Sequence, residues 1–235
     1  MANPDQYLSG EYQAKNPSFH VEDSPWKAAQ IRRMIDSQRI PAGRIAEVGC
    51  GAGEILVQLA GHYPQARLEG FEISPQGFAL CQQRASDRIR FQNTDFAAAQ
   101  TPPYDIVLCI DVFEHIEDSF AFLRGLRSRG NGFIFHIPLD MNVQMVARSA
   151  PILMVRSTVG HIHYYSKETA LATLEDCGYE IRSWFYTPNG VDRPTSGKAR
   201  LLQLPRKVLF ALSKDLTVRF LGGYSLLVYA VPRKA

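Results

Sequence analysis

The run IAEVGCGAGEIL sets Gly49, Gly51 and Gly53 between an apolar stretch and a helix-like one, with Glu47 and Glu54 on either side. Glycines at such a junction accept backbone angles closed to other residues and let a ligand approach the main chain closely. The first N–H groups of the following helix remain free to face that ligand. The dinucleotide fingerprint G-x-G-x-x-G needs its third glycine at position 54, where this chain has Glu54. A pyrophosphate would also meet Glu47 and Glu54 at close range. A phosphate-free, positively charged cofactor suits the turn better, and S-adenosylmethionine carries both a sulfonium and an ammonium group.

Three further segments bring polar groups to the ends of apolar stretches. In ARLEGFEIS, Glu72 is followed by Ile73, and a carboxylate there can accept from both hydroxyls of a ribose. In RFQNTDF, Asp95 can accept from an adenine amino group while Phe96 packs against the ring. YDIVLCIDVFEHIED is apolar through Ile110 and then delivers Asp111, Glu114 and His115.

Methyl transfer from a sulfonium is an in-line displacement, which asks the protein to align the reactants and exclude water rather than supply a nucleophile. An oxygen or carbon acceptor needs a base, and histidine titrates in the right range. His115, His161 and His163 are the candidates, with His136 and the pair Tyr12 and His20 behind them. His161 and His163 have the spacing of ligands on one strand face, but no acidic cluster accompanies them in sequence and no C-x-x-C occurs, so no metal is expected. Cys50, Cys81, Cys109 and Cys177 are widely spaced among apolar neighbours and read as reduced, buried thiols.

Positioning these groups requires strands that end along one edge. Apolar runs at Arg44 to Val48, Arg67 to Ile73, Ile89 to Gln92, Asp105 to Ile110, Gly132 to Ile137, Tyr179 to Tyr186 and Ser225 to Val231 read as seven strands. Helical spacing marks Glu54 to His62, Pro75 to Ser86, Ser119 to Arg127 and Lys167 to Cys177, the last opened by Ser166 as N-cap and stopped by Gly178. The alternation predicts an α/β fold with a doubly wound, mostly parallel sheet whose ligands bind at the carboxyl ends of the strands. One domain spanning 1–235 is expected: an N-terminal arm over 1–43, a cofactor-binding core over 44–138, a lid-like insertion over 139–160, and a C-terminal half over 161–235. Within that half, 197–222 is a helical insert of one or two amphipathic helices broken near Pro205.

Taken together, E-x-G-C-G-x-G, the acid after the second strand, the aspartate after the third and D-V-F-E-H after the fourth resemble the class I S-adenosylmethionine-dependent methyltransferases. GHIHYYSKETALATLEDCGYEI is similar to the passage from lid to last helix in their small-molecule, ubiquinone-biosynthesis-like branch. The resemblance runs from Ile45 to Tyr186 and implies a Rossmann-like sheet with its last strand antiparallel. It also implies that Glu47, Gly49, Cys50 and Gly51 contact the methionine end of the cofactor, Glu72 the ribose, Asp95 and Phe96 the adenine, and the Ile110 backbone the ammonium group, with Ile73 and Asp111 completing the cofactor site. S-adenosylhomocysteine would be the product.

At 235 residues with 46% apolar and 21% charged residues, the chain has the make-up of an ordinary globular domain. A net charge of +3 with scattered basic residues gives no support for nucleic-acid binding. MANPDQYLSGEYQ lacks the features of a signal peptide and no stretch has membrane-spanning length, so the cytoplasm is the expected location. The partner expected is a small-molecule or lipid-like acceptor, with peripheral membrane contact through the basic apolar stretch 198–222 as an alternative to its packing on the domain. Two other functions compete with methyl transfer: an NAD-dependent oxidoreductase, and a non-catalytic binding subunit that retains the cofactor fold.

Overall fold

A computed structural model describes residues 4–194 and 196–233 of the protein. Its seven strands are β1 (Arg44–Val48), β2 (Arg67–Phe71), β3 (Ile89–Gln92), β4 (Tyr104–Ile110), β5 (Gly130–Pro138), β6 (Tyr179–Thr187) and β7 (Ser225–Pro232). They form one sheet in the order β3-β2-β1-β4-β5-β7-β6. β1 to β5 run parallel, and β7 lies antiparallel between β5 and β6. The strand order reverses between β1 and β4, which opens a crevice at their carboxyl ends. The doubly wound α/β class, the seven strands and the antiparallel last strand are all as expected.

The strands read as unbroken apolar runs because helices cover both faces. Ala46, Val107, Cys109, Phe133 and Phe135 bury on one side, and Ile45, Ile106, Leu108 and Ile134 on the other. Alternation along β1, β4 and β5 feeds two cores from the same strands.

The N-terminal arm consists of α1 (Pro4–Leu8), α2 (Glu11–Lys15), a 3₁₀ turn at Val21–Asp23, and α3 (Ser24–Gln38). In α3, Ala28, Ile31 and Ile35 recur at helical spacing and pack against α4 (Glu54–His62). α5 (Pro75–Gln82) stops short of the expected Ser86, the chain tightening as the Arg84 N–H turns back to the Cys81 carbonyl. α6 (Ser119–Leu126) follows β4. The stretch after β5 folds as α7 (Val143–Arg148) and α8 (Ala150–Thr158), before α9 (Lys167–Asp176). A capping box joins Ser166 and Thr169 at the start of α9, and Gly178, at φ 86°, follows the other end of that helix.

Between β6 and β7 lie α10 (Asn189–Asp192), α11 (Gly197–Leu201), α12 (Gln203–Leu212) and α13 (Lys214–Phe220). The break expected near Pro205 falls just before it, at Leu202, rather than at the proline itself. Pro205 falls in the first turn of α12, where its missing N–H would have no intrahelical partner anyway; the interruptions come at Leu202 and Ser213 instead.

Candidate active site

A cavity of about 1100 Å³ opens at the carboxyl ends of β1, β2 and β4 and is roofed by the N-terminal arm. Its floor is the glycine turn. Gly49, Gly51 and Gly53 have φ values of 64°, 52° and 77°, so all three occupy the left-handed region that glycine enters without penalty. At Gly53 the need is steric as well, since a Cβ would lie 2.6 Å from the Phe91 ring. The N–H groups of Gly49 and Cys50 both donate to the Phe71 carbonyl, tying the turn to the end of β2.

Glu72 completes the turn. One carboxylate oxygen accepts from the Gly51 N–H at 2.8 Å and the other from the Ser74 N–H at 2.7 Å. Each oxygen keeps a lone pair for a ribose hydroxyl. Burial pushes the Glu72 carboxyl up, and the backbone donors counter only part of that effect. Glu47 is also buried, with Oε2 meeting no hydrogen-bond partner, and burial raises its carboxyl well above the usual range. An orphaned carboxylate in a cavity wall fits an ammonium or sulfonium ligand.

Cys50, Ile73, Ile110 and Asp95 all line the same cavity. Cys50 is a buried free thiol whose ionisation is opposed by neighbouring Cys81, by burial and by Glu47. Asp95 sits at the rim, one oxygen accepting from the Ala97 N–H at 2.9 Å. Phe96 lines the cavity next to Asp95, and its buried ring is braced from the core side, tilted edge-on to Phe71 at 4.7 Å with the Arg129 guanidinium over it.

Asp111 adopts φ 54°, a left-handed angle that costs a non-glycine residue. The angle aims its carboxylate at two partners. Lys27 Nζ from the arm lies 2.7 Å away and His136 Nδ1 lies 2.6 Å away. Because the carboxylate can only accept, His136 carries a proton on Nδ1, and its Nε2 is hydrogen-bonded with the Thr187 hydroxyl at 2.9 Å. Burial pushes the Asp111 carboxyl up, but the pull of His136 and Lys27 overcomes it and holds the group far below the usual carboxylate range. Asp111 thus pins the arm to the sheet, with its negative charge already matched. Lys27 was invisible to motif reading, because it lies outside every motif and reaches the site only through the fold of the arm.

The three candidate bases separate. His161 lines the cavity and donates from Nδ1 to Asp140 Oδ2 at 2.6 Å, which fixes the orientation of its ring. His115 packs 4.9 Å from it, centroid to centroid, and burial followed by the field of His161 lowers its pKa to about 4. His163 does not face the cavity. Its Nε2 donates to the Ile116 carbonyl at 2.8 Å and holds the loop after β4 in place.

Glu114, His115 and His161 bring potential ligand atoms within 4.8 Å of one another. Both Glu114 oxygens and His115 Nδ1 are buried without a hydrogen-bond partner. The trio has the ligand types to hold a divalent cation, which sequence reading did not expect because His161 lies 46 positions from His115 in the chain. The arm contributes Tyr7, Tyr12, Phe19 and His20 to the same cavity. Burial raises the phenol pKa values of Tyr7 and Tyr12, so both stay protonated.

Residues 46–129 match the family described as Methyltransferase domain. Over this segment the chain is similar to methyltransferase domains. The domain is 32% identical over 118 residues to a trans-aconitate 2-methyltransferase of Streptomyces avermitilis, an alignment covering 46% of this chain and 43% of that protein. It is 24% identical over 121 residues to a ubiquinone biosynthesis O-methyltransferase of Paraburkholderia phytofirmans, covering 48% and 51%. The chain therefore spans about half the length of these curated relatives. In fold, the chain resembles magnesium protoporphyrin IX methyltransferase from Synechocystis, solved with S-adenosylmethionine bound, at a TM-score of 0.54 and 19% identity over 95% of this chain and 84% of that one.

Proposed function

We propose that the protein transfers the methyl group of S-adenosylmethionine to a small, uncharged or weakly acidic acceptor held beneath the N-terminal arm. The observation that carries this reading is the orphaned Glu47 carboxylate beside a left-handed glycine turn that Glu72 braces. Glu47 and the turn would receive the methionine end of the cofactor, Glu72 its ribose hydroxyls and Asp95 its adenine. The cofactor, once bound, supplies an electrophilic methyl carbon. Two buried acids at the turn disfavour the pyrophosphate of a nicotinamide cofactor.

The chain's own part is to orient, exclude water and move one proton. The aromatic arm covers part of the cavity, which limits the water that reaches it. His161, oriented by Asp140, takes the acceptor's hydroxyl proton on Nε2. His115 stays neutral at pH 7, so it adds no positive charge beside a cationic cofactor. Among the described residues no arginine lines the cavity, and its one lysine, Lys27, is held by Asp111. That lining suits a neutral or phenolic acceptor better than a tricarboxylate such as trans-aconitate.

A thermal-shift titration with S-adenosylmethionine, S-adenosylhomocysteine and NAD tests the reading. A ligand at 100 times its Kd stabilises by about 2.7 kcal/mol. The expected result is a saturable shift with both adenosyl ligands, lost in Glu72→Ala, followed by methylation of a phenol in preference to trans-aconitate. A shift with NAD alone, or with none of the three, overturns it.

A further inference from the structure

Among the described residues, most exposed large apolar side chains gather in two segments of the chain. Thirteen of the sixteen such residues among those described fall within 141–154 and 201–220, the two helical insertions that flank the cavity, so their exposure is not the usual surface scatter. α8 and α12 bury no residue fully. Leu204 and Leu212 on α12 are 71% and 78% exposed, and Leu153 on α8 is 63% exposed. The helices touch in sequence, α12 against α13, α13 against α7 and α7 against α8, so the exposed side chains form one continuous ridge.

The ridge is basic. Residues 197–222 contain six lysines and arginines against the single acid Asp215, and 141–158 contain Arg148 and Arg156 with no acid, in a chain whose whole net charge is +3. Lys207 and Arg219 are engaged by Asp192 and Glu168. Arg148, Arg156 and Arg200 meet no acidic side chain among the described residues. A second copy of the chain laid on this face would bring like charges together, which disfavours self-association. An interface that is both apolar and anionic matches it on both counts.

We propose that this ridge docks the protein onto the surface of an anionic lipid bilayer, lying in the headgroup region rather than crossing it. No helix among the described residues is long and apolar enough to span a membrane. The ridge leads straight into the cavity wall: Val159 and His161 follow α8, and Ser225 follows α13. An acceptor dissolved in the bilayer would reach the cavity without passing through water. The docking itself does not depend on methyl transfer, and its failure would leave that reading intact.

Vesicle flotation of the full chain, with phosphatidylcholine alone and with phosphatidylglycerol added, tests the proposal. The protein should float with the anionic vesicles, release as salt is raised, and remain behind with phosphatidylcholine alone. Leu204→Glu with Leu212→Glu, and separately Arg148→Glu with Arg156→Glu, should each lower the bound fraction about tenfold while leaving the unfolding temperature unchanged. No flotation with anionic vesicles, undiminished flotation of both double variants, or equal binding to neutral vesicles overturns it. So does a lipid-free dimer in sedimentation that Leu204→Glu with Leu212→Glu dissolves.

Discussion

Replacing Lys27 by methionine should unfasten the arm, and the size of the effect can be worked from the geometry. Lys27 Nζ and Asp111 Oδ2 are 2.7 Å apart, with side-chain exposures of 14% and 20%. At an effective dielectric of about 20 that separation is worth about 6 kcal/mol of Coulomb energy. Much of it is offset, because lysine gives up hydration that methionine never had, and His136 continues to hold the carboxylate from the other side. Removing one partner of a fully buried pair costs about 3–5 kcal/mol, and the residual exposure here scales that to about 2–3 kcal/mol. Urea unfolding of Lys27→Met, Asp111→Asn and the double variant at pH 7 closes a cycle whose coupling should exceed about 1.5 kcal/mol. The acid limb supplies a second readout. The folded Asp111 carboxyl lies below its unfolded value, so its contribution is fully present above about pH 3.9 and is lost as pH falls below that. Lys27→Met should flatten that limb. A coupling within about 0.5 kcal/mol of zero would refute the reasoning.

Three other outcomes follow from the site. Glu47 must ionise to receive a cation, and burial holds its carboxyl well above the usual range, so S-adenosylmethionine should bind more tightly as pH rises and release a proton; calorimetry in buffers of different ionisation enthalpy reads this, and Glu47→Gln should abolish it. His115 lies at about 4 when folded against 6.5 unfolded, so the unfolded chain binds the proton more readily between those values and stability should rise with pH across that window by about 3 kcal/mol; an equally steep rise in His115→Gln would exclude this residue as the source. Gly53→Ala should cost about 3 kcal/mol in chemical denaturation, combining a φ of 77° with a Cβ pressed onto the Phe91 ring, and a loss below about 1 kcal/mol would mean that the ring simply moves aside.

Much of this site was legible because its residues are consecutive. Gly49, Gly51 and Gly53 announce a turn by type alone, and Glu72 and Asp95 stand at ends of strands that hydrophobic runs already delimit. What could not be read depends on folding distant segments together. Nothing near Lys27 marks it as the partner of Asp111, and Asp140 selects His161 over His163 only because β5 and the loop before α9 converge. The core contacts of Phe96 with Phe71 and Arg129 are hidden for the same reason, since those residues lie 25 and 33 positions away in the chain. Pro205 marked its break only approximately, since a proline breaks a helix interior but is tolerated in a first turn.

Phe19 has a consequence for what the arm covers. Its side chain lies over the glycine turn, so that a Cβ on Gly51 would meet it at 3.5 Å and one on Gly77 at 3.1 Å. The residue belongs to the arm, yet it stands above the cofactor cradle and not only above the acceptor space. Two five-residue helices, too short to persist alone, connect through left-handed links at Gly10, Phe19 and His20. The arm therefore covers the glycine turn as well as the rest of the cavity, and the Lys27–Asp111 pair that fastens it stands guard over both halves at once.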